Sequence, residues 1–350
     1  MSIQKIEIKE LLLLKKSLPI LDVRSPGEFQ QAHIPKAFSF PIFTNEERKM
    51  IGTAYKQTSR EKAIKIGLDF FGKNLVSFIE RTETILKENS STTREVIVHC
   101  WRGGMRSSAM AWLLNLYGFK VYLLIGGYKT YRHWVLKQFE NDFPLHIISG
   151  CTGSNKTGLL HELKKQNHAV IDLEGLAKHK GSTFGNLDEH PQPTQEQFEN
   201  HLAEELHLAF QNNNQTIWIE GESQRIGQVN LPNVFYKQML SKATSKLDIP
   251  FDERLEHIMQ EYGKYDVEKI EKAIIRITKK LGGLETKNAI EFLKAGDLKN
   301  CYSIILKYYD RLYRKSAFTN DEKNTFVIES NTCEAAINLQ LLLANDSKNK

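Results

Sequence analysis

The chain has 350 residues, of which 41% are hydrophobic and 26% are charged, which suits a soluble globular protein with enough core for two domains. Its longest early apolar run, Leu11 to Leu14, is too short to span a bilayer, and the N-terminus lacks a signal-peptide pattern. We therefore expect a cytoplasmic protein with no membrane association. The net charge of +6 allows an RNA partner without requiring one.

Four cysteines are scattered along the chain without the paired spacing of zinc ligands or of a disulfide framework. We expect reduced thiols and no metal site formed by them. They are Cys100, Cys151, Cys301 and Cys333.

The first predicted strand spans residues 19–23, after a short polar and apolar start. Asp22 has two possible roles at its end. It either caps the following turn, which we favour, or orients an arginine of a reactive loop. We expect His33 to hold the connection to a short strand near residues 38–41 by a hydrogen bond.

Residues 44–95 have mainly helical spacing. Basic side chains at Arg60, Lys62 and Lys65 alternate with apolar ones and predict an amphipathic helix, and residues 73–86 predict another. The basic face is either simply solvated or suited to phosphate contacts.

The next stretch combines chain geometry with reactive chemistry. A β-branched run at residues 96–98 predicts a buried strand, and Cys100 follows it. A glycine-containing loop then leads to a helix that we expect to begin at Ser107 and to stop at Gly118.

A cysteine in front of a helix N-terminus is in an unusual chemical setting. Unpaired backbone N–H groups and the helix dipole favour an anion there, and Arg102 and Arg106 add positive charge. The thiol of Cys100 should be partly ionised and nucleophilic. Gly103 and Gly104 allow backbone N–H groups to surround an oxyanion, a sulfur or a selenium atom. The alternative is a buried, inert cysteine.

The sequence predicts two α/β domains. A strand at residues 121–124 and a helix at 131–136 complete the first, and residues 141–144 are the expected boundary. We assign residues 8–140 to a domain with a central parallel sheet and residues 145–345 to a second α/β domain with a helical C-terminal part.

The second domain opens with a phosphate-loop pattern. A strand at residues 146–149 leads into residues 150–157 and then a helix. In the pattern G-x4-G-K-[ST], Asn155 replaces the second glycine, and asparagine tolerates a positive φ better than most residues. Nucleotide, diphosphate and RNA phosphate all remain possible ligands, and Mg²⁺ on Thr157 is possible. The candidate substrate-binding residues here are Gly150, Thr152, Gly153, Ser154, Lys156 and Thr157.

Two acidic strand ends follow this loop. We predict a strand in residues 170–177 with acidic residues at its end, and the basic loop 178–185 could wrap phosphate or simply connect elements at the surface. After a helix at 196–210 and a strand at 216–220, Glu220 and Glu222 could orient a metal or pair with Arg225. We leave both alternatives open.

From Phe251 onward the pattern is helical. The aromatic and basic run at residues 308–315 is either core tyrosine flanked by solvated charge or an RNA contact by stacking and phosphate neutralisation. A last strand is expected at 326–329 and a closing helix at 335–343.

Several motifs of the first domain resemble rhodanese-type sulfurtransferases, in particular residues 21–25, Glu28-Phe29, residues 33–37 and residues 124–128. The reactive loop is one residue longer than in ordinary rhodaneses, so its cradle should accept a larger atom than sulfur. The spacing His-Cys-x5-Arg-Ser is also that of tyrosine-phosphatase-like enzymes.

Nearly the whole chain resembles the tRNA 2-selenouridine synthase family. The resemblance rests on residues 100–107, residues 172–177 and Phe184-Gly185, in a rhodanese-like domain followed by a degenerate P-loop domain.

The resemblance implies a transferase that replaces the sulfur of wobble 2-thiouridine in tRNA by selenium from selenophosphate. It implies a geranylated intermediate formed from geranyl diphosphate, and the tRNAs for Lys, Glu and Gln as substrates. Cys100 would carry selenium as a selenylsulfide, and Arg102 and Arg106 would help to bind selenophosphate. Trp101, Gly103 and Gly104 are the further substrate-binding candidates, and a selenophosphate-producing enzyme is a possible partner. No resident cofactor is firmly predicted.

Three alternatives predict different behaviour. A generic sulfurtransferase would turn over thiosulfate without tRNA. A cysteine-dependent phosphatase would release phosphate from an aryl phosphate. An RNA-binding module with a vestigial loop would not need Cys100.

Overall fold

The computed structural model describes residues 3–89, 91, 93–181, 184, 191–211, 216–314 and 324–346. The chain divides into two compact units, Met1–Lys137 and Gln138–Lys350. In the described part, no helix is long and apolar enough to cross a membrane. Part of the predicted phosphate-wrapping loop (Ser182, Thr183 and Gly185) and Lys315 lie outside the described residues.

A parallel sheet of five strands forms the centre of the first unit, in the spatial order β1-β5-β4-β2-β3. Val96, Ile97 and Val98 of β4 are fully buried, as expected for a central parallel strand covered on both faces. The strands are β1 (Ile3–Ile6), β2 (Ile20–Asp22), β3 (Ala37–Ser39), β4 (Glu95–His99) and β5 (Lys120–Leu124).

Helices connect these strands, and three of them occupy the long connection between β3 and β4. The first and second of these begin after residues with the expected capping chemistry, because Thr44 and Ser59 each accept a hydrogen bond from a backbone N–H of the following turn. The helices are α1 (Ile8–Leu14), α2 (Pro26–Gln31), α3 (Asn45–Gln57), α4 (Arg60–Gly72), α5 (Leu75–Glu88), α6 (Met105–Leu116) and α7 (Gly127–Gln138).

The second unit also contains a parallel sheet of five strands, in the order β12-β11-β6-β8-β7, and a separate antiparallel pair, β9 with β10. The strands are β6 (Leu145–Gly150), β7 (Ala169–Ile171), β8 (Ile217–Glu220), β9 (Arg225–Ile226), β10 (Val229–Asn230), β11 (Thr244–Asp248) and β12 (Thr325–Glu329).

Two apolar clusters stabilise this second unit. One packs against the sheet around Ile148, Trp218 and Leu247, and the other joins the helices that follow residue 251 around Ile274 and Tyr302. The helices are α8 (Lys156–Lys165), α9 (Leu173–Ala177), α10 (Gln195–Gln211), α11 (Asn233–Leu240), α12 (Phe251–Tyr262), α13 (Val267–Arg276), α14 (Thr278–Leu281), α15 (Gly283–Lys294), α16 (Leu298–Tyr313) and α17 (Ala335–Asp346).

The predicted fold class is confirmed: a rhodanese-like unit with a central parallel sheet precedes a P-loop-like α/β unit with a helical C-terminal part. Strand β1 was not predicted. Ile6 is its only buried residue, so this edge strand has little apolar pattern in the sequence. Helix α6 begins at Met105, two residues before the predicted start, because Gly104 is extended and ends the loop.

Candidate active site

The first candidate site is the loop between β4 and α6. Cys100 directly follows the strand and is 3% exposed, and its Sγ lies 3.2 Å from Oγ of Ser107 in the first turns of the helix. The Ser107 hydroxyl also donates to the carbonyl of Gly104 at 3.1 Å. The thiol therefore lies inside the loop, beside a hydroxyl group that can hydrogen-bond to sulfur.

The turn between β5 and α7 fixes the shape of this loop. Gly103 has a φ of +63°, and a Cβ atom at this position would lie 2.9 Å from the carbonyl oxygen of Leu124. The amides of Tyr128 and Lys129 donate to the carbonyls of Cys100 and Trp101 at 2.8 and 2.9 Å. Residues 124–128, which the sequence identified only as a family motif, are thus a structural part of the site.

Arg106 is not a free charge, because Glu28 of α2 binds its guanidinium. Nη1 and Nη2 of Arg106 donate to the two carboxylate oxygens of Glu28 at 2.8 and 3.4 Å, and Arg48 donates to Glu28 at 2.9 Å. Burial alone would raise the pKa of Glu28, but the hydrogen bond and the charge of Arg106 lower it to about 2. In the sequence Glu28 was identified only as part of a family motif, and in the structure its side chain also accepts the Ser25 amide in the capping box of α2.

Two further predicted residues lie at the outer side of the loop. Arg102 is exposed, and Trp101 is 37% exposed with its ring 5.6 Å from the ring of Tyr128. Both side chains are accessible to a substrate that approaches Cys100.

A buried ion pair lies beneath the loop. Arg24 is 1% exposed, donates to Asp22 at 2.6 Å and places its guanidinium 3.9 Å from the ring centre of Tyr128. Burial opposes ionisation of Asp22, but the nearby His99 and Arg24 lower its pKa overall. Asp22 also accepts the Arg24 amide at 3.1 Å, so it caps the turn, and its arginine partner is Arg24 rather than one from the reactive loop.

Two histidines of this unit, His33 and His99, lie outside the reactive loop and belong to the supporting structure. His33 hydrogen-bonds to the carbonyl of Phe29 at 3.0 Å, which confirms the predicted connection. His99 is fully buried, its Nε2 lies 3.7 Å from Asp22 and has no hydrogen-bond partner, and burial lowers its pKa.

The second candidate site is the loop between β6 and α8. Asn155 has a φ of +55°, so asparagine does adopt the left-handed conformation that the missing glycine would have taken. Its side chain donates to the carbonyl of Cys333 at 2.8 Å, and Nζ of Lys156 donates to the carbonyl of Gly150 at 3.1 Å. The strand-loop-helix geometry of a phosphate loop is therefore retained.

Three carboxylates lie next to this loop. Thr157 donates to Glu174 at 3.0 Å, and Glu220 accepts the Glu174 amide at 2.7 Å while its Oε2 has no partner. Burial and the charge of Glu222 raise the pKa of Glu174 to about 8. Burial, and to a smaller extent the charge of Glu174, raises the pKa of Glu220. Arg225 donates to the carbonyl of Gly227.

Mg²⁺ on Thr157, which the sequence allows, stays a prediction. The Thr157 hydroxyl is bound to Glu174, and within the described ranges no group of three or more His, Cys, Asp or Glu side chains is arranged to hold a metal ion. We therefore derive no step through Mg²⁺.

A cavity of about 1020 Å³ opens beside the phosphate loop and the carboxylates. The sequence pointed to its loop residues, to the basic stretch after α9 and, through the run 308–315, to Tyr309 and Tyr313 of α16. It missed the side chains that helices α11 and α12 contribute, which are Tyr236, His257 and Tyr262.

The fold and the two sites define a class of protein: a rhodanese-like domain with a cysteine-bearing loop joined to a P-loop-like domain. Residues 7–133 match the family described as the rhodanese-like domain, and residues 143–342 match the tRNA 2-selenouridine synthase AAA domain. The chain belongs to the tRNA 2-selenouridine synthase family.

Curated relatives with the name tRNA 2-selenouridine synthase cover much of the chain. The Nitrosomonas europaea protein is 37% identical over 70% of this chain and 63% of its own length. The Bdellovibrio bacteriovorus protein is 37% identical over 75% and 69%, and the Hydrogenovibrio crunogenus protein is 33% identical over 77% and 78%. A crystal structure of an N-terminal domain from Clostridium difficile 630 is 36% identical and covers 39% of this chain and 99% of that chain, with a TM-score of 0.35.

Proposed function

We propose that this protein replaces the sulfur of wobble 2-thiouridine in tRNA by selenium from selenophosphate, through a geranylated intermediate formed from geranyl diphosphate. The tRNAs for Lys, Glu and Gln are the proposed substrates, and the enzyme that makes selenophosphate is the proposed donor partner. The observation that carries the proposal is the placement of Cys100 in a loop held by glycines, against Ser107 and near Arg106, in a member of this family.

In this proposal Cys100 carries the selenium. Attack of its thiolate on the selenium of selenophosphate forms the S–Se bond and breaks the Se–P bond, whose electron pair leaves with phosphorus as phosphite. The terminal selenium then attacks C2 of the geranylated nucleoside and displaces geranyl thiolate. A thiol cosubstrate attacks the sulfur of Cys100, forms a disulfide and releases 2-selenouridine.

One observation favours a second candidate chemistry at the same residue. The Cys-x5-Arg-Ser spacing and the Ser107 hydroxyl 3.2 Å from Sγ also suit attack on phosphorus. Selenophosphate would first displace geranyl thiolate at C2 through its selenium. Attack by Cys100 on phosphorus would then form an S–P bond and release the selenolate of the nucleoside, and water would free phosphate.

We assign the phosphate loop of the second unit to the diphosphate of geranyl diphosphate or to tRNA phosphate. This loop has the strand-loop-helix backbone of a P-loop, and Lys156 at the start of α8 supplies the cation that a P-loop offers to a phosphate. The cavity beside it has room and side chains for a larger group than phosphate alone.

The test is to incubate the protein with 2-thiouridine tRNA, geranyl diphosphate and selenophosphate and to analyse the nucleosides by mass spectrometry. We expect geranylated and selenated products from the wild type. Cys100→Ser should lose selenation, Lys156→Ala should impair modification, and Cys301→Ala should behave as the wild type because Cys301 lies in the helical core. Thiosulfate turnover without tRNA, with no tRNA product, would instead establish the sulfurtransferase alternative.

Phosphorus NMR of the same reaction separates the two chemistries. Phosphite indicates that Cys100 takes selenium, and phosphate with a phosphorylated Cys100 intermediate indicates that it takes the phosphoryl group. An aryl phosphate as the sole substrate tests the phosphatase alternative.

A further inference from the structure

An apolar groove lies beside the reactive loop in the first unit. It has a volume of about 610 Å³ and lies between α3, α4 and the start of α6, and we call it the α3–α4 groove. Pockets of this size commonly hold a small organic ligand. Its principal apolar side chains are Phe43, Ile51, Tyr55, Ile64, Leu68 and Met105.

Large apolar side chains in this groove are exposed to solvent. Tyr55, Leu68 and Met105 are 54%, 60% and 56% exposed. Helix α3 packs against α4 but has no fully buried side chain of its own. Since burial of apolar surface is the main favourable term for a surface helix, an apolar ligand in the groove would supply burial that the protein alone does not.

The charged side chains of the groove are all cationic. Arg48, Lys49, Lys56 and Arg106 line it, and the described lining includes no Asp or Glu. Arg48 and Arg106 both bind Glu28, which leaves the two lysines to attract an anion. This combination fits an apolar chain that is attached to a polyanion.

The groove reaches the first turn of α6, the helix that follows the reactive loop. Met105 and Arg106, which open α6, line the groove, and Ser107, the next residue, contacts the sulfur of Cys100. A chain bound here would have its attachment point close to the nucleophile.

We propose that the α3–α4 groove binds the geranyl chain carried by the sulfur of the modified uridine, while Lys49 and Lys56 contact phosphates of the same RNA. This inference rests on the proposed function and assigns the chain to the rhodanese-like unit. Binding of the chain places C2 of the nucleoside at Cys100, so the groove selects geranylated over unmodified RNA for selenium transfer.

The test uses a synthetic anticodon stem-loop that carries either S-geranyl-2-thiouridine or S-methyl-2-thiouridine at the wobble position. Binding to the full-length protein is measured for the wild type, for Leu68→Glu in the groove and for Val76→Glu on α5. Leu68 and Val76 are 60% and 67% exposed, and Val76 does not line the groove, so the two variants are matched in exposure and in charge change. Glutamate is a good helix former, and thermal melts check that both variants fold.

We expect the wild type and Val76→Glu to bind the geranyl RNA more tightly than the methyl RNA. Leu68→Glu should lose about ten-fold or more of this preference, because a carboxylate beside an apolar chain must be desolvated. It should also raise KM for selenation of the geranylated stem-loop with little effect on kcat. An unchanged preference in folded Leu68→Glu overturns the proposal.

Two further outcomes separate the groove from the proposed function. If Leu68→Glu slows geranylation from geranyl diphosphate but selenates pre-geranylated RNA normally, the groove serves the donor and the proposal is wrong. If the wild type binds the geranyl chain in a Leu68-dependent way but forms no selenouridine, the groove is supported and the proposed function fails.

Discussion

Glu28 and Arg106 form a two-point hydrogen-bonded ion pair across 78 residues of sequence, between α2 and the first turn of α6. Arg106 follows the reactive cysteine loop, so the carboxylate of Glu28 decides where its guanidinium points. We therefore treat Glu28 as a positioning residue for the anion that Arg106 would bind.

Replacement of Glu28 tests this role. Glu28→Gln should lower the rate of selenation about ten-fold and the free energy of unfolding by about 1–3 kcal/mol, because Arg106 loses a charged partner. The folded-state pKa of Glu28 is about 2, below its ordinary 4.5, so its stabilisation is complete above about pH 4.5 and is lost as the pH falls toward 2. Urea unfolding at a series of pH values should show a shallower acid limb in Glu28→Gln.

Arg48 provides the control for this experiment. It donates to the same carboxylate but is 51% exposed and lies outside the reactive loop. Arg48→Gln should lower the free energy of unfolding by no more than about 1 kcal/mol and should keep most of the selenation activity. Equal losses in Glu28→Gln and Arg48→Gln would contradict a positioning role.

Adjacent glycines in the loop should respond differently to a methyl group. Gly103→Ala places a Cβ 2.9 Å from the carbonyl of Leu124 at a φ of +63°, so the loop must shift. We expect selenation to fall about 100-fold, the loss that a misplaced reactive group can cause. Gly104→Ala has open space and an extended backbone, so its single-turnover rate and melting temperature should stay near the wild type. Similar effects of both substitutions would argue against a fixed loop geometry.

The ion pair beneath the loop should matter for stability. Asp22→Asn leaves Arg24 charged and buried, which should lower the free energy of unfolding by about 3–5 kcal/mol in urea titrations at pH 7. Asp69 offers a matched comparison, because it pairs with Lys73 at 3.0 Å with both side chains about two thirds exposed. Asp69→Asn should change the stability by about 0.5 kcal/mol or less. A small effect of Asp22→Asn would show that the pair is dispensable.

The carboxylates beside the phosphate loop predict a pH effect of the opposite sign. Glu174 has a folded-state pKa of about 8, above its ordinary 4.5, so the folded protein holds a proton that the unfolded chain releases. Stability should therefore fall as the pH rises from about 5 to 8, by up to about 1.4 kcal/mol per pH unit from this group. The melting temperature of Glu174→Gln should depend less on pH in this range than that of the wild type, and it should be higher than the wild-type value at pH 9. Glu268→Gln, at an exposed position, should keep the wild-type slope.

The local parts of both sites could be predicted from the sequence. The β-branched run at residues 96–98 gave strand β4, and the glycines after it gave the loop that holds Cys100. Asparagine tolerates a positive φ, so the sequence predicts that Asn155 can take the place of the second glycine without loss of the loop conformation. The φ of +55° at Asn155 confirms this prediction. These features depend on residues close together in the chain.

The parts that could not be predicted depend on distant contacts. Nothing in the spacing of Glu28 and Arg106 shows that they meet. The α3–α4 groove could not be predicted either. The same helical periodicity is found in an apolar face that packs on the core and in one that stays exposed. Tyr236, His257 and Tyr262 reach the second cavity from helices whose position the sequence did not specify.

The hydrogen bonds from Tyr128 and Lys129 to the carbonyls of Cys100 and Trp101 have a consequence for protein synthesis. The residues that give the cysteine its surroundings are translated after the cysteine itself. While β5 and the turn after it are still inside the ribosome, the thiol of Cys100 in the nascent chain lacks the loop contacts that surround it in the folded protein. Cys100 thus acquires a defined chemical environment only when the last strand of the first sheet has emerged and been added beside β4.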